Sequence, residues 1–246
     1  MPEHTNSCVW LITGCSTGFD RAFAEAVLQH GDSLLGSARS AEALQGLEEQ
    51  FPTQVRIISL DVTKTDDAYR AVQMALSTFG QIDVPVNDTG YGMLGAIEET
   101  SDSEMRRMFE TSFFGSLTMI QAALAHICKQ GHGHISNMSS ITSFVGNAGL
   151  SAYCGSMFAL EGLLEALVAE VAPLGIQATI VEPGNFRTDW AGGSMTHIEQ
   201  KIGAYSAICD GTAAFLTGMH EQHPSDPACA AQSLFKIVEI RSLLCT

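Results

Sequence analysis

Cys8 to His30 reads C-V-W-L-I-T-G-C-S-T-G-F-D-R-A-F-A-E-A-V-L-Q-H, and the order of its parts decides the fold class. Cys8–Thr13 is a short β-rich apolar run, Gly14 to Asp20 a glycine-punctuated turn, and Arg21–His30 an Ala-rich segment with helical amphipathic spacing. Strand, glycine turn and helix follow in the order that a dinucleotide phosphate site requires. Backbone N–H groups at a helix start can meet a pyrophosphate where no side chain intervenes. A tight βα turn in another kind of α/β protein would satisfy the same stretch, so the choice falls to the rest of the chain.

Outward from this unit the alternation persists. Ser33–Ala38 predicts a second strand, Ala41–Gln50 a helix, Gln54–Leu60 a strand, and Lys64–Phe79 a helix that stops at Gly80. Ile82–Val86 predicts a fourth, central strand, in which Pro85 is out of place because it lacks the N–H that a central ladder uses. Ser101 with Glu104 has capping-box spacing at the head of one long helix running to about Lys129. His134–Met138 predicts the fifth strand, with Ser136 where an apolar side chain is expected. Ile176–Val181 predicts the sixth strand and Pro227–Ile240 the last helix. Such alternation selects an α/β fold: a Rossmann-like doubly wound parallel sheet in three αβα layers, one domain over residues 1–246. Residues 185–225 include a weakly patterned run of small and polar residues and are expected to form a substrate lid. Phe186, Trp190, Met195, Ile198 and Tyr205 would line an apolar pocket or pack in the core.

Composition narrows the partners. Twelve basic against 27 acidic residues, a formal charge of −15, exclude nucleic acid, whose binding needs clustered Lys and Arg. Met1–Ser7 has no signal-peptide pattern, and no run approaches the ~20 apolar residues of a membrane span, so no membrane partner is expected. Seven cysteines, an odd number without a C-x-x-C pair, point to reduced thiols and a cytoplasmic location. His132-Gly133-His134 reads as a surface turn rather than a metal pair, and no metal is expected.

A second stretch carries the chemistry. Asn137 to Glu161 reads N-M-S-S-I-T-S-F-V-G-N-A-G-L-S-A-Y-C-G-S-M-F-A-L-E. Ser140 ends an apolar run, and Tyr153 follows at 153 − 140 = 13 positions, at the start of a helical pattern. A hydroxyl at a strand end facing a phenol in a helix's first turns can polarise and protonate a carbonyl.

Together these residues resemble the short-chain dehydrogenase/reductase family, whose motifs are T-G-x-x-x-G-x-G and Ser followed by Tyr-x-x-x-Lys. Thr13, Gly14 and Gly18 match the first motif, Asn87-Asp88-Thr89-Gly90 resembles the family's N-N-A-G turn, and Pro183, Gly184 and Thr188 match its Pro-Gly turn and threonine. The resemblance covers residues 8 to about 238. It implies hydride transfer between an alcohol and a carbonyl, on a small hydrophobic substrate such as a steroid or retinoid. It also implies a homo-oligomer formed through helices 101–129 and 151–171. Cofactor contacts would come from Gly14, Ser16, Thr17, Gly18, Phe19 and Asp20, from Asp61 and Val62 at the adenine, from Asn87 and Gly90, and from Pro183, Gly184 and Thr188 beside the nicotinamide. Arg39, just after the second strand, suits a 2′-phosphate and favours NADP(H), with NAD(H) the alternative. The same arginine would also serve as a solvated loop residue.

The catalytic set, Ser140, Tyr153, Ser112 and Met157, departs from the pattern. Ser112 stands where the family has an asparagine that holds a relay water, and Met157 stands in place of the lysine. Free tyrosine titrates near ~10, and losing the cation beside it should lower the rate on the order of a hundredfold or more. Asp20 replaces the last glycine of the turn. A carboxylate ~5 Å from a pyrophosphate charge costs on the order of 3 kcal/mol at an effective dielectric of ~20; pointing away, it would favour the helix N-terminus instead. The chain is therefore expected to be an impaired oxidoreductase or a catalytically silent binding or scaffold protein on the same fold. Pro85 and Ser136 extend the departures to structural positions, which a redesigned, mutated or decaying sequence would also show; a low thermal midpoint that rises on Pro85→Leu would support that third reading.

Overall fold

Six parallel strands in the order β3-β2-β1-β4-β6-β7 form the central sheet: β1 Val9–Ile12, β2 Ser33–Ala38, β3 Val55–Ser59, β4 Val84–Asn87, β6 His134–Met138 and β7 Gln177–Val181. The computed structural model describes residues 7–184, 186, 189–222 and 225–241. Helices α1 (Gly18–His30), α2 (Gln45–Gln50), α3 (Thr65–Phe79), α4 (Asp102–Phe109), α5 (Gly115–Gln130), α6 (Ser151–Val171), α7 (Ser206–Gln222) and α8 (Pro227–Arg241) complete the main framework.

Alternation along β1 builds the two cores. Leu11 joins one apolar cluster with Val72, Ile120 and Leu164 from α3, α5 and α6. Its neighbours Trp10 and Ile12 join the other with Phe23 and Val27 of α1 and Leu234 of α8. A strand's period of two sends successive side chains to opposite faces, so a sheet covered on both sides needs this run apolar throughout. The strand order reverses between β1 and β4, opening a crevice at their carboxyl ends.

Pro85 does lie in a central strand, and the ladder shows how it is accommodated. His134 N–H donates to Asp83 O at 2.8 Å on the β6 side, and Thr13 N–H donates to Val86 O at 3.0 Å on the β1 side. Alternation between these two points aims the missing N–H of Pro85 towards β6. There the register is confined to Val86↔Ser136 and Asn87↔Asn137, while Leu11↔Pro85 pairs on the other side. Ser136 is fully buried, and its hydroxyl has no hydrogen-bond partner.

Two expectations need correction. The long helix is not continuous: a π-helical turn, Glu110–Phe114, separates α4 from α5. Its start is as expected, with Ser101 N–H donating to Glu104 Oε2 at 2.9 Å and Glu104 N–H to Ser101 Oγ at 3.3 Å. The run Asp102–Gln130 is also long and apolar enough, by length and composition, to cross a membrane. Its residues Met108, Ile120, Ala123 and Ile127 are nevertheless buried against the sheet, which is how a core helix passes the same test.

A second, two-stranded parallel sheet was not foreseen. β5 (Gly92–Leu94) pairs with β8 (Met195–His197). A Cβ at Gly92 would sit 2.5 Å from the Met195 side chain, so the close approach of these strands needs glycine there. Within the expected lid region, residues 189–222 form short helical turns, β8 and α7. Glu99 Oε1 accepts N–H bonds from Lys201 at 2.6 Å and Ile202 at 2.7 Å, and Tyr205 OH donates to Glu98 Oε2 at 2.6 Å. Met195 covers Gly92, and Ile198 is buried over Gly95.

Candidate active site

The crevice holds a cavity of about 840 Å³. Gly14, Ser16, Thr17, Gly18, Phe19, Asp20, Arg39, Asn87, Gly90, Ser112, Ser140, Tyr153, Met157, Pro183 and Gly184 all line it, as do Phe186 and Trp190. Among the described residues, Asp61 and Val62 do not; Leu60 lines the wall in their place. The Asp61 carboxylate accepts from Thr63 N–H at 3.1 Å and Thr63 Oγ1 at 2.7 Å, closing a local turn. Val62 packs under α5, where its methyl would meet a Gly115 Cβ at 2.7 Å. Thr188 lies outside the described residues.

The glycine turn makes one end of the cavity. Gly14 has φ +80° and Gly18 φ +67°, the left-handed region that other residues resist. Thr17 precedes α1 in an extended conformation without a side-chain cap, so the helix's first N–H groups stay available to an anion. Arg39 sits just past the end of β2, its carbonyl accepting from Ser59 Oγ at 2.9 Å. These features fit a dinucleotide.

Asp20 is the feature that does not. It is buried and turned inward, neither capping the helix nor pointing away: a Cβ at Gly14 would sit 2.8 Å from its Oδ2. The partner it meets is Asp88. Asp88 is held there by its N–H, which donates to Thr13 Oγ1 at 3.0 Å. Burial, then the charge of Asp88 and a hydrogen bond with it, push the Asp20 pKa well above the carboxylate range. Burial raises Asp88 to about 6, opposed by the hydrogen bond with Asp20. Like charges this close cannot both ionise cheaply.

At the other end stands the phenol of Tyr153. Tyr153 enters from the first turn of α6, which the loop after β6 leads into, and Ser140 lies at the head of that loop. Ser140 Oγ accepts from Thr142 N–H at 3.2 Å. The phenol is buried, and burial pushes its pKa up to about 12; the Ser140 and Thr142 hydroxyls oppose the shift, and the charge of Asp88 adds to it. Trp190 closes over the ring at a centroid distance of 5.0 Å. Met157, one helical turn on, is 5% exposed and part of the apolar core, so it offers the phenol no charge. Ser112 lies in the π-helical turn, its Oγ donating only weakly to Met108 Sδ at 3.4 Å. Beneath them Asn87 Nδ2 donates to Asn137 Oδ1 at 2.8 Å.

Residues 8–198 match the sequence profile of the short chain dehydrogenase family. The chain belongs to that family. It is 39% identical over 188 residues to an oxidoreductase of Botryotinia fuckeliana, an alignment covering 76% of this chain and 69% of the relative. A short-chain dehydrogenase structure from Streptomyces avermitilis superposes with a TM-score of 0.87 at 39% identity, covering 95% of this chain and 85% of that one. Two more distant structures share the fold: one from Burkholderia phymatum in complex with NAD (20% identity, TM-score 0.85, 96% and 86% covered) and ElxO with NADP bound (22%, 0.77, 94% and 91%). The chain spans about two thirds of the length of curated relatives it matches, 69%, 64% and 62% for three of them.

Asp88 and Thr142 were missed as site residues by sequence reasoning. The signal available for Asp88 was its place beside Asn87 in the turn that resembles N-N-A-G. Nothing local marked Thr142, which became legible only once Ser140 and Tyr153 were brought together.

Proposed function

We propose that this short-chain dehydrogenase binds a nicotinamide dinucleotide, NADP(H) in preference to NAD(H), and acts weakly on a small apolar alcohol or carbonyl. The observation that carries this reading is the convergence of Ser140 and Tyr153 on the cavity that the Gly14–Gly18 turn also lines. A bound nicotinamide would supply or accept the hydride. The chain's own part is to orient the substrate oxygen between the Ser140 hydroxyl and the Tyr153 phenol, and to give or take a proton at the phenolic oxygen. Trp190 and Leu150 exclude water from that end of the cavity and favour an apolar substrate.

Turnover is slow because the phenol is far from the ~7 that acid–base work favours. Met157 provides no cation to bring it down, and Asp88 acts in the wrong direction. Arg39 at the end of β2 supports the NADP(H) preference, as a guanidinium pairs with a 2′-phosphate. Exposed Phe114 and Phe158 on the α4–α6 face support a homo-oligomer formed through these helices. The free thiols of Cys15, Cys128, Cys154, Cys209 and Cys229 support a cytoplasmic setting.

Titration with NADPH and NADH, followed by rates on a panel of ketones and alcohols, tests the proposal. Expected are saturable binding, tighter for NADPH, and turnover that is low in the native chain and rises in Met157→Lys. Failure of both nucleotides to bind would reject it. Binding with no turnover in either form would select a silent binding protein, a reading that the raised pKa of Tyr153 already favours over ordinary catalysis.

A further inference from the structure

Asp20 and Asp88 come from different parts of the chain, α1 and the turn after β4, and both line the cradle that the glycine turn builds. The Asp20 side chain is nine-tenths buried, and its Oδ1 has no hydrogen-bond partner. Its Oδ2 lies 2.8 Å from where a Cβ of Gly14 would be, and Thr89 Oγ1 is 3.4 Å from the same point. A buried carboxyl beside a second one, with an oxygen left unsatisfied, lies within the charge field of any anion seated on the turn.

We propose that Asp20 and Asp88 form a proton-sharing carboxyl pair that sets the affinity of the cradle for an anionic dinucleotide, admitting it while protons are held and rejecting it as they leave. The inference rests on the dinucleotide reading above. The turn that binds a diphosphate is built from N–H groups carrying partial positive charge, and a carboxylate beside it cancels that attraction. One full negative charge at ~5 Å corresponds to about a hundredfold in affinity.

The titratable groups around the pair do not take over this role. Cys15, in the turn after β1, is fully buried and its thiol is pushed up to about 12, so it stays neutral. Arg21 on α1 is held by Glu25 at 2.6 Å. Tyr153 faces Asp88 from α6 as a neutral phenol. Among the groups facing the pair, the two carboxyls are therefore the ones left to release protons as pH rises.

NADH is the probe, because its pyrophosphate does not titrate in this range whereas the 2′-phosphate of NADPH does. Dissociation constants would be measured by fluorescence at pH 5.5, 7 and 8.5 in EDTA, for the native chain, Asp20→Asn, Asp88→Asn and the double variant. Circular dichroism would confirm the fold of each. The expected result is a Kd that rises at least tenfold from pH 5.5 to 8.5 in the native chain and stays within about twofold in the double variant. A native Kd that does not change with pH, or a pH dependence that survives in the double variant, overturns the inference and leaves the dinucleotide reading standing. No binding at any pH by any of the four proteins overturns both. If millimolar Mg²⁺ tightens NADH binding at pH 8.5 in the native chain but not in the double variant, the pair is a metal bridge, and the shared-proton account is overturned.

Discussion

In the proposed chemistry Tyr153 gives or takes the proton, and its surroundings are the reason that slow turnover is expected. The Ser140 and Thr142 hydroxyls favour ionisation too weakly to offset burial, which leaves the phenol near 12. Met157→Lys would place an ammonium one helical turn away and stabilise the phenolate; kcat is expected to rise on the order of a hundredfold, with the inflection of the pH–rate profile moving to lower pH. Steady-state rates across pH 6–10 check it, and an unchanged profile would show that the lysine position is not coupled to the phenol. Ser140, Tyr153 and Met157 were legible in the sequence because strand end, loop and helix start bring them together within one short stretch. Asp20 and Asp88 were not legible as a pair. They stand 88 − 20 = 68 positions apart, and only the bond from Asp88 N–H to Thr13 Oγ1 sets them side by side.

Among the elements, β4 carries the clearest cost. Pro85 withholds a rung from the β4–β6 ladder, and Ser136 opposite Val86 buries a hydroxyl without a partner. Pro85→Leu is expected to restore about 1 kcal/mol of net hydrogen bonding, raising Tm by roughly 2–4 °C for a chain of this size. Calorimetry on the two proteins checks it; an equal or lower Tm would mean that the strand has relaxed around proline. The segment after β8 is latched by Glu99, whose pKa is lowered by the N–H groups of Ile202 and Lys201. A depressed carboxylate stabilises above its ordinary range, and that contribution is lost as pH falls through the folded-state value. Glu99→Gln is accordingly expected to speed proteolytic cleavage near residues 199–205 several-fold at pH 7, and to abolish the acid-induced increase seen in the native chain. Periodicity revealed the six strands of the main sheet, but not β5 and β8. Three-residue strands have too few alternations to read, and their pairing depends on glycine at position 92 meeting Met195 across a gap of about a hundred residues. The π-helical turn was equally hidden, because one extra residue per turn leaves the apolar spacing of a long helix nearly unchanged.

At the scale of the whole molecule, the doubly wound order was readable because β and α patterns alternate throughout, and the crevice between β1 and β4 follows from that order. What alternation cannot show is how charge is distributed inside the crevice. A raised carboxyl pKa in the folded state contributes stability that is full below the ordinary value and lost as pH rises through the folded value. For Asp88 that loss runs from about 4 through about 6, and the raised Asp20 carboxyl contributes in the same direction. Tm is expected to fall from pH 5 to pH 8, and Asp88→Asn to flatten the fall; scanning calorimetry at fixed ionic strength decides it. The fold and cradle are intact, and Met157 brings no cation to the Tyr153 phenol. Single-turnover reduction of a reactive ketone with saturating NADPH, in the native chain and in Met157→Lys, tests what that costs. Slow hydride transfer is expected in the native chain and an acceleration of two orders of magnitude or more in the variant; a native rate equal to that of the variant would overturn the proposed function.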